Sequence, residues 1–403
     1  MLAHKIELKL NNKQRTYFAK AAGVARFSYN WALNEWQKEY NAGLKPSDPS
    51  LRRKLNSIKR SEFPWMLEVT KNAPQMAIIQ LGQAFKNFFA KRAAYPQFRK
   101  KGIHDRFTLS NDQFTVDASR IHIPHLGWVH MRESLRFAGK ILSATVSRCA
   151  DKWFVSIHVE TAKPISLTEN ENQVAVGIDL GLTQFATLST GEIIVGPKPH
   201  KAKLNRLKRL SKSLSRKQKG SENRKKVRAK LAKLHYQIAN IRNDAIHKLT
   251  TQISANFSTI VIEDLHVKGM VRNRKLSRSI SDMGFYEFRR QLEYKSLLKN
   301  KKVIVANRWY ASSKICSICT MKNSALALSQ REWECPHCGT KHHRDINAAK
   351  NLEKLAVSFT VRANPGKAGE DAHACGASAD GVIASAMASH GALKQESNAK
   401  VIY

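Results

Sequence analysis

Cys316-Ser-Ile-Cys319 and Cys335-Pro-His-Cys338 are two CxxC pairs separated by 15 residues. Each pair offers two thiolates on one side of a tight knuckle. Two facing knuckles complete the tetrahedral four-sulfur shell that zinc prefers. Such a shell has no open position, so the expected Zn²⁺ is structural and not catalytic. His337, His342 and His343 are close enough in sequence to compete as ligands, but loop histidines are more often simply solvated. The four cysteines are therefore the predicted metal ligands. Thr320 follows the first knuckle where Gly339 follows the second, an irregularity in a turn that favours glycine.

Three carboxylates carry the other chemistry. Asp179 ends the apolar run 174–178 and precedes Leu180-Gly181, where a glycine lets the backbone approach a phosphate closely. Glu263 ends the run Thr259-Ile-Val-Ile262, and a charge on a buried sheet is costly without a cation. Asp264 must then face the other way. Asp345 stands just before a helix expected to run to about Ala356, in the place of an N-cap. Taken singly, each has a plain structural explanation as a turn or cap residue. Together, at two strand ends and one helix start, these hard oxygen ligands suit Mg²⁺, which can activate water and stabilise a leaving oxygen in phosphodiester cleavage.

The surroundings favour a polyanionic partner. Lys and Arg number 69 against 31 Asp and Glu, a net charge of +38, and such an excess repels itself until a polyanion neutralises it. Aromatic and hydroxyl residues interleave the basic ones and neither end carries a lipidation motif, so nucleic acid is preferred to an anionic membrane. No apolar run reaches the ~20 residues of a membrane span. The N-terminus alternates charged and apolar residues and lacks the pattern of a secretion signal. Cys149 and Cys375 are isolated, and paired CxxC knuckles fit a reducing compartment, so a cytoplasmic, nucleoid-associated protein is expected.

The hydrophobic period assigns the elements that hold these groups. Residues 1–15 read as a strand with Ile6, Leu8 and Leu10 alternating, and 16–105 as helical. A helix is predicted from about Pro74 to Arg92 with Met76, Ile79, Leu81, Phe85, Phe88 and Phe89 buried. From 106 to 165 the period becomes two, as in a small β-barrel. The polar stretch 162–172 reads as a linker. A second, α/β domain spans 172–360. It carries a basic helical hairpin at 201–250, in which 15 Lys or Arg between 201 and 233 face only Glu222, with Lys219-Gly220-Ser221 as its turn and Leu231, Leu234, Ile238 and Ile241 on its apolar side. The cysteine segment, 312–343, follows an apolar strand at 302–306. Residues 361–403 are rich in Gly, Ala and Ser and are expected to be disordered.

Val176-Gly-Ile-Asp-Leu-Gly-Leu182, Ile260-Val-Ile-Glu-Asp-Leu-His-Val-Lys-Gly-Met270, Ser312-Ser-Lys-Ile-Cys-Ser-Ile-Cys319 and Arg344-Asp-Ile-Asn-Ala-Ala-Lys-Asn-Leu352 resemble the TnpB (OrfB) proteins of bacterial insertion sequences. Arg26–Leu33, Tyr95–Gly102 and Gly127–Val129 extend the resemblance over nearly the whole chain. It implies an α/β multidomain fold: a ribonuclease-H-like (RuvC) nuclease domain with an inserted zinc ribbon, preceded by a small β-barrel carrying a helical insertion. It implies Asp179, Glu263 and Asp345 as the catalytic, Mg²⁺-binding carboxylates. It also implies a guide RNA from the element's end, a double-stranded DNA target with a short flanking motif, and a separate transposase as functional associate. Gln75 and Gln80 are candidates for reading that motif. Two other functions stay open at this point: a zinc-containing nucleic-acid-binding regulator that does not cut, and a transposase that joins DNA strands itself.

Overall fold

The computed structural model describes residues 1–161, 175–327 and 329–361, and these fall into two compact units. The linker expected at 162–172 and the tail beyond 361 lie outside the described residues. The fold is mixed α/β and multidomain. No helix among the described residues is long and apolar enough to cross a membrane.

The first unit opens with β1 (Leu2–Lys9) and α1 (Asn12–Asn41). The helix begins earlier than the period implied because Asn11 and Gln14 form a reciprocal capping box, with Gln14 N–H donating to Asn11 Oδ1 at 2.8 Å. Next come α2 (Asp48–Ile58) and α3 (Asn72–Phe89). A left-handed Lys91 (φ +55°) follows the end of α3, ahead of the expected stop at Arg92. Leu81 and Phe85 are buried as expected, but Phe89 is exposed and Met76 and Ile79 are only half-buried. Ala73, Ala77 and Ile78 are buried instead, so the buried stripe keeps Leu81 and Phe85 but departs from the predicted one in the first half of the helix. Then follow β2 (Arg106–Ser110), β3 (Thr115–Asp117), β4 (Arg120–Ile123), β5 (Gly127–Met131), β6 (Lys140–Cys149) and β7 (Lys152–Glu160). They form one antiparallel sheet in the order β2-β6-β7-β1-β5-β4-β3. Among the described residues no pairing joins β2 to β3, so this is an ordered seven-stranded sheet whose hydrogen bonds do not close a ring.

The second unit starts with β8 (Val176–Leu180), β9 (Ala186–Leu188) and β10 (Ile193–Ile194). A short α4 (Pro199–Ala202) leads into the basic hairpin of α5 (Leu204–Ser215) and α6 (Glu222–Asn256). Ser221 caps α6, and Gly220 takes φ +90° in the turn. Leu207, Leu231, Leu234 and Ile238 bury the seam, with the lysines and arginines turned largely outward. Ile241, expected on that seam, is exposed: α5 begins only at Leu204, so this part of the longer α6, far from the turn, has no hairpin partner opposite it. The chain continues through β11 (Thr259–Glu263), α7 (Val267–Met270), α8 (Ser277–Met283), α9 (Phe285–Leu298), β12 (Lys302–Ala306), β13 (Glu332–Glu334), β14 (Lys341–His343) and α10 (Arg344–Val361).

The main sheet of this unit has the order β10-β9-β8-β11-β12, with β8, β11 and β12 parallel. Side chains alternate across it. Val176, Ile178, Ile260 and Ile262 face a core shared with Ile246, Ile253, Phe285, Phe288 and Leu292 of α6 and α9. Val261, Ile304 and Ala306 face the other way and pack on Leu352 and Ala356 of α10. Asp179 and Glu263 share the parity of Gly177 and Val261, and so point to the α10 side.

Candidate active site and zinc centre

The register pairs Ile262 with Ile178, and Glu263 and Asp179 each stand one residue beyond that pair. Adjacent strands lie about 4.8 Å apart, so the two carboxylates emerge side by side at the carboxyl ends of the strands. The third arrives on α10, which crosses β8 at Gly177. A Cβ there would lie 1.9 Å from the Ala349 carbonyl oxygen and 2.5 Å from the Glu353 nitrogen, so glycine is what lets the helix backbone touch the sheet. Asp345 is one helical turn, about 6 Å, before Ala349. Asp179 is two strand residues, about 6.6 Å, beyond Gly177. The two acids therefore arrive at the same level.

Asp345 sits in the first turn of α10 and is not its N-cap. Its Oδ1 accepts from Arg331 Nη1 at 2.8 Å, and its side chain is only 14% exposed. Ser312 Oγ donates to Glu263 Oε1 at 2.8 Å. Asp264 does face away, pairing with Arg289 and Arg308 at 2.9 and 2.5 Å. Burial pushes the Asp179 carboxyl well above its ordinary range. The neighbouring Glu263 and Asp345 carboxylates raise it further, while Arg344 and Arg331 pull it back. Burial also raises Glu263, and the Ser312 hydrogen bond opposes this. The crowding of Asp179 and Glu263, which resist ionisation, beside the Asp345 carboxylate is what a divalent cation would relieve, and hard oxygen donors of this kind suit Mg²⁺. Gly181 is not room for a phosphate: a Cβ there would meet the Gln184 carbonyl oxygen at 2.8 Å, so it serves the turn into β9.

The four sulfurs of Cys316, Cys319, Cys335 and Cys338 all lie within 4.8 Å of one another. The Cys316–Cys338 and Cys319–Cys335 separations are 3.7 and 3.6 Å. A tetrahedron with ~2.3 Å zinc–sulfur bonds has edges of about 3.8 Å, so the cluster fits zinc. Thr320 and Gly339 adopt the same left-handed turn, φ +65° and +66°. Their N–H groups bond the Cys316 and Cys335 carbonyls at 3.0 and 2.9 Å, so the threonine leaves the first knuckle's geometry intact. His342 Nε2 sits 3.0 Å from Cys316 Sγ, beside a set already complete with four sulfurs.

The first cysteine knuckle is bolted to α10. Asn347 Nδ2 donates to the Ile315 carbonyl at 2.7 Å, and its Oδ1 accepts from Ser317 N–H at 2.8 Å. One turn on, Asn351 Nδ2 donates to the Ser312 and Ile315 carbonyls at 2.8 and 2.6 Å. Lys354 Nζ donates to the Ser317 carbonyl. Sequence reading missed Gly177, Ser312, Arg331, Asn347 and Asn351. The two asparagines four apart on one helical face were the available signal; Arg331 offered none. In the first unit, Gln80 is tied to Thr108 Oγ1 at 3.0 Å and Arg99 Nη2 at 2.9 Å, which occupies the groups that would read a base, while Gln75 is exposed.

Three family models match the chain. "Probable transposase" of the OrfB IS605 type covers residues 156–274, and "Cas12f1-like, TNB domain" covers 285–352. "Helix-turn-helix domain" of the same OrfB type covers 1–45, where the structure has β1 and the single helix α1. A Streptomyces pristinaespiralis protein, "Putative RNA-guided DNA endonuclease", is 37% identical over 373 residues, 90% of each chain. The chain belongs to the TnpB/OrfB family of IS605-type elements. The Escherichia coli K12 "Putative RNA-guided DNA endonuclease InsQ" is 34% identical to this TnpB-family chain, over 90% of it and 93% of the relative. The protein chain in a Cas12f1–sgRNA–target DNA complex matches the fold with a TM-score of 0.52 at 15% identity, over 84% of this chain and 83% of that one.

Proposed function

We propose that this chain is an RNA-guided, Mg²⁺-dependent DNA endonuclease of an IS605-type insertion sequence, acting in the cytoplasm beside a separate transposase. The observation that carries the reading is the meeting of Asp179, Glu263 and Asp345 at one end of the β8–β11 pair, with Asp179 held unusually hard to ionise. These three would hold Mg²⁺, which supplies an activated water and stabilises the departing oxygen of a phosphodiester. Ser312 fixes the Glu263 carboxylate. Arg331 and Arg344 offset the acids' charge and attract the incoming phosphate. Cys316, Cys319, Cys335 and Cys338 hold the structural Zn²⁺.

In this reading residues 172–360 form the RuvC-like nuclease domain, with the zinc ribbon at 312–343 and the basic hairpin at 201–250 lining phosphates. Strands β1 to β7 act as a small barrel left open in its hydrogen bonding between β2 and β3, and α1 to α3 as its helical insertion, together taking guide RNA and duplex DNA with its flanking motif. Base pairing to the guide reads the target sequence, and the protein reads shape and the flanking motif. The names of the relatives support the activity.

The test uses protein purified with co-expressed RNA, matched duplex DNA and Mg²⁺. The parent should cut, and Asp179→Ala should fall to background. Equal rates for the two would refute the site. Persistent binding with no cutting by the parent, and no effect of Glu263→Ala or Asp345→Ala, would favour a non-cleaving regulator.

A further inference from the structure

Trp309 is 87% exposed, the most exposed large apolar side chain among the described residues. Its backbone is nevertheless firmly held. β12 ends at Ala306, which is in register with Glu263, so Trp309 stands three residues beyond the level of that carboxylate. Asn307 Oδ1 accepts from Trp309 N–H at 2.9 Å, and the Asn307 carbonyl accepts from Tyr310 N–H at 3.0 Å. On one side Arg308 pairs with Asp264. On the other, Tyr310 OH donates to the Asn351 carbonyl at 3.2 Å, its ring packs by α10, and Ser312 holds Glu263. The two neighbours of Trp309 are thus held by partners on the protein, Arg308 by Asp264 and Tyr310 by α10, while the indole projects into solvent.

We infer that Trp309 is a stacking platform for an unpaired base of the DNA strand beside the scissile phosphate. The inference rests on the endonuclease reading above. Three residues span at most about 10 Å, which keeps the indole within reach of nucleotides flanking a phosphate bound at the carboxylates. Ligands of open α/β sheets bind outside the carboxyl ends of the strands, where this turn lies. A ring on a fixed turn loses little freedom when a base settles on it. Stacking is also indifferent to base identity, because every base has a π-face. That suits an enzyme whose cut site is chosen by guide pairing and not by protein contacts to the bases there.

The test places 2-aminopurine at successive positions of the DNA strand around the cut and follows its quenching by RNA-loaded protein in an Asp179→Ala background. Quenching should peak at one position, persist with Trp309→Phe, and vanish with Trp309→Leu and Trp309→Ala. In the cutting-competent chain, Trp309→Leu and Trp309→Ala should lower kcat/KM about ten-fold or more, with zinc content, melting temperature and RNA retention unchanged. Trp309→Phe should recover most of the rate. The leucine variant keeps an apolar side chain without a π-face, so leucine behaving like the parent in quenching and rate would overturn the inference. A parent that binds without cutting would sink the endonuclease reading, while the quenching series would still decide the stacking.

Discussion

Gly177 of β8 lies against the backbone of Ala349 in α10, with no space between them for a methyl group. This contact sets the height of the helix over the sheet and with it the reach of Asp345. Gly177→Ala should force α10 outward. A displacement near 1 Å at a catalytic group costs on the order of 100-fold in rate, and overpacking costs about 1–3 kcal/mol in stability. Cleavage should therefore collapse while RNA stays bound and zinc content holds. Cutting within about two-fold of the parent would show that the helix tolerates the shift and that the contact does not set the site.

Asn347 and Asn351 make the first cysteine knuckle and the Asp345 helix one mechanical piece. Asn347→Ala strands the Ser317 N–H and removes a donor from the Ile315 carbonyl, at a cost of about 1–3 kcal/mol. Loss of zinc, by chelation or Cys316→Ser, should act through the same joint and lower cleavage more than RNA binding. Parallel measurements of cutting and RNA retention during zinc withdrawal check this. RNA binding failing first would contradict the brace.

Much of this arrangement was legible in the residues, and the illegible part has a common cause. The strand end at Glu263 is legible in an apolar run broken by an acid and the knuckles in cysteine spacing, because both signals are local, whereas β8 runs one residue past Asp179 to Leu180. The convergence of Asp179 with Asp345 is a tertiary fact that depends on Gly177, and a glycine inside a strand does not say which element approaches it. Arg331 reaches Asp345 only because the β13–β14 hairpin folds back, which no period encodes. The helix boundary at Asn12 departs from the hydrophobic pattern because a cap outweighs it, and Ile241 leaves the seam because one hairpin helix is shorter than the other.

Asp179 gives the metal-free protein a pH signature. Its folded value lies above the ordinary 3.8, so the folded state holds the proton more tightly than the unfolded chain. That stabilising contribution is fully present below the unfolded value and is lost as pH rises through the raised folded value. Asp179→Asn removes the repulsion that causes the loss. Without Mg²⁺ the variant should melt above the parent at pH 7, and the gap should close near pH 3. Mg²⁺ at about 100 times its Kd should add about 2.7 kcal/mol to the parent and less to the variant. Thermal melts across pH, with and without Mg²⁺, decide it, and a variant less stable at pH 7 would contradict the crowding of charge.

Thr320 holds a left-handed turn at φ +65°, a conformation that costs a non-glycine residue roughly 1–2 kcal/mol. Thr320→Gly recovers part of this, offset by the glycine's extra freedom when unfolded. A net gain of about 0.5–1 kcal/mol is expected, read as slower zinc loss to a chelator. Faster loss would mean that the threonine hydroxyl, which donates to the Cys319 carbonyl at 2.6 Å, outweighs the backbone strain.

Asp345 comes late in the chain, on α10, while every strand and helix of the first unit among the described residues is complete by residue 160. At about 5–20 residues per second of synthesis, the ribosome needs roughly 10–40 s to travel from one to the other. During that interval the first unit can fold and engage a partner while the acid cluster still lacks its last member. If the first unit takes nucleic acid as proposed, the order of the chain works as a safety catch: a nascent or truncated product would occupy nucleic acid long before it could cut it.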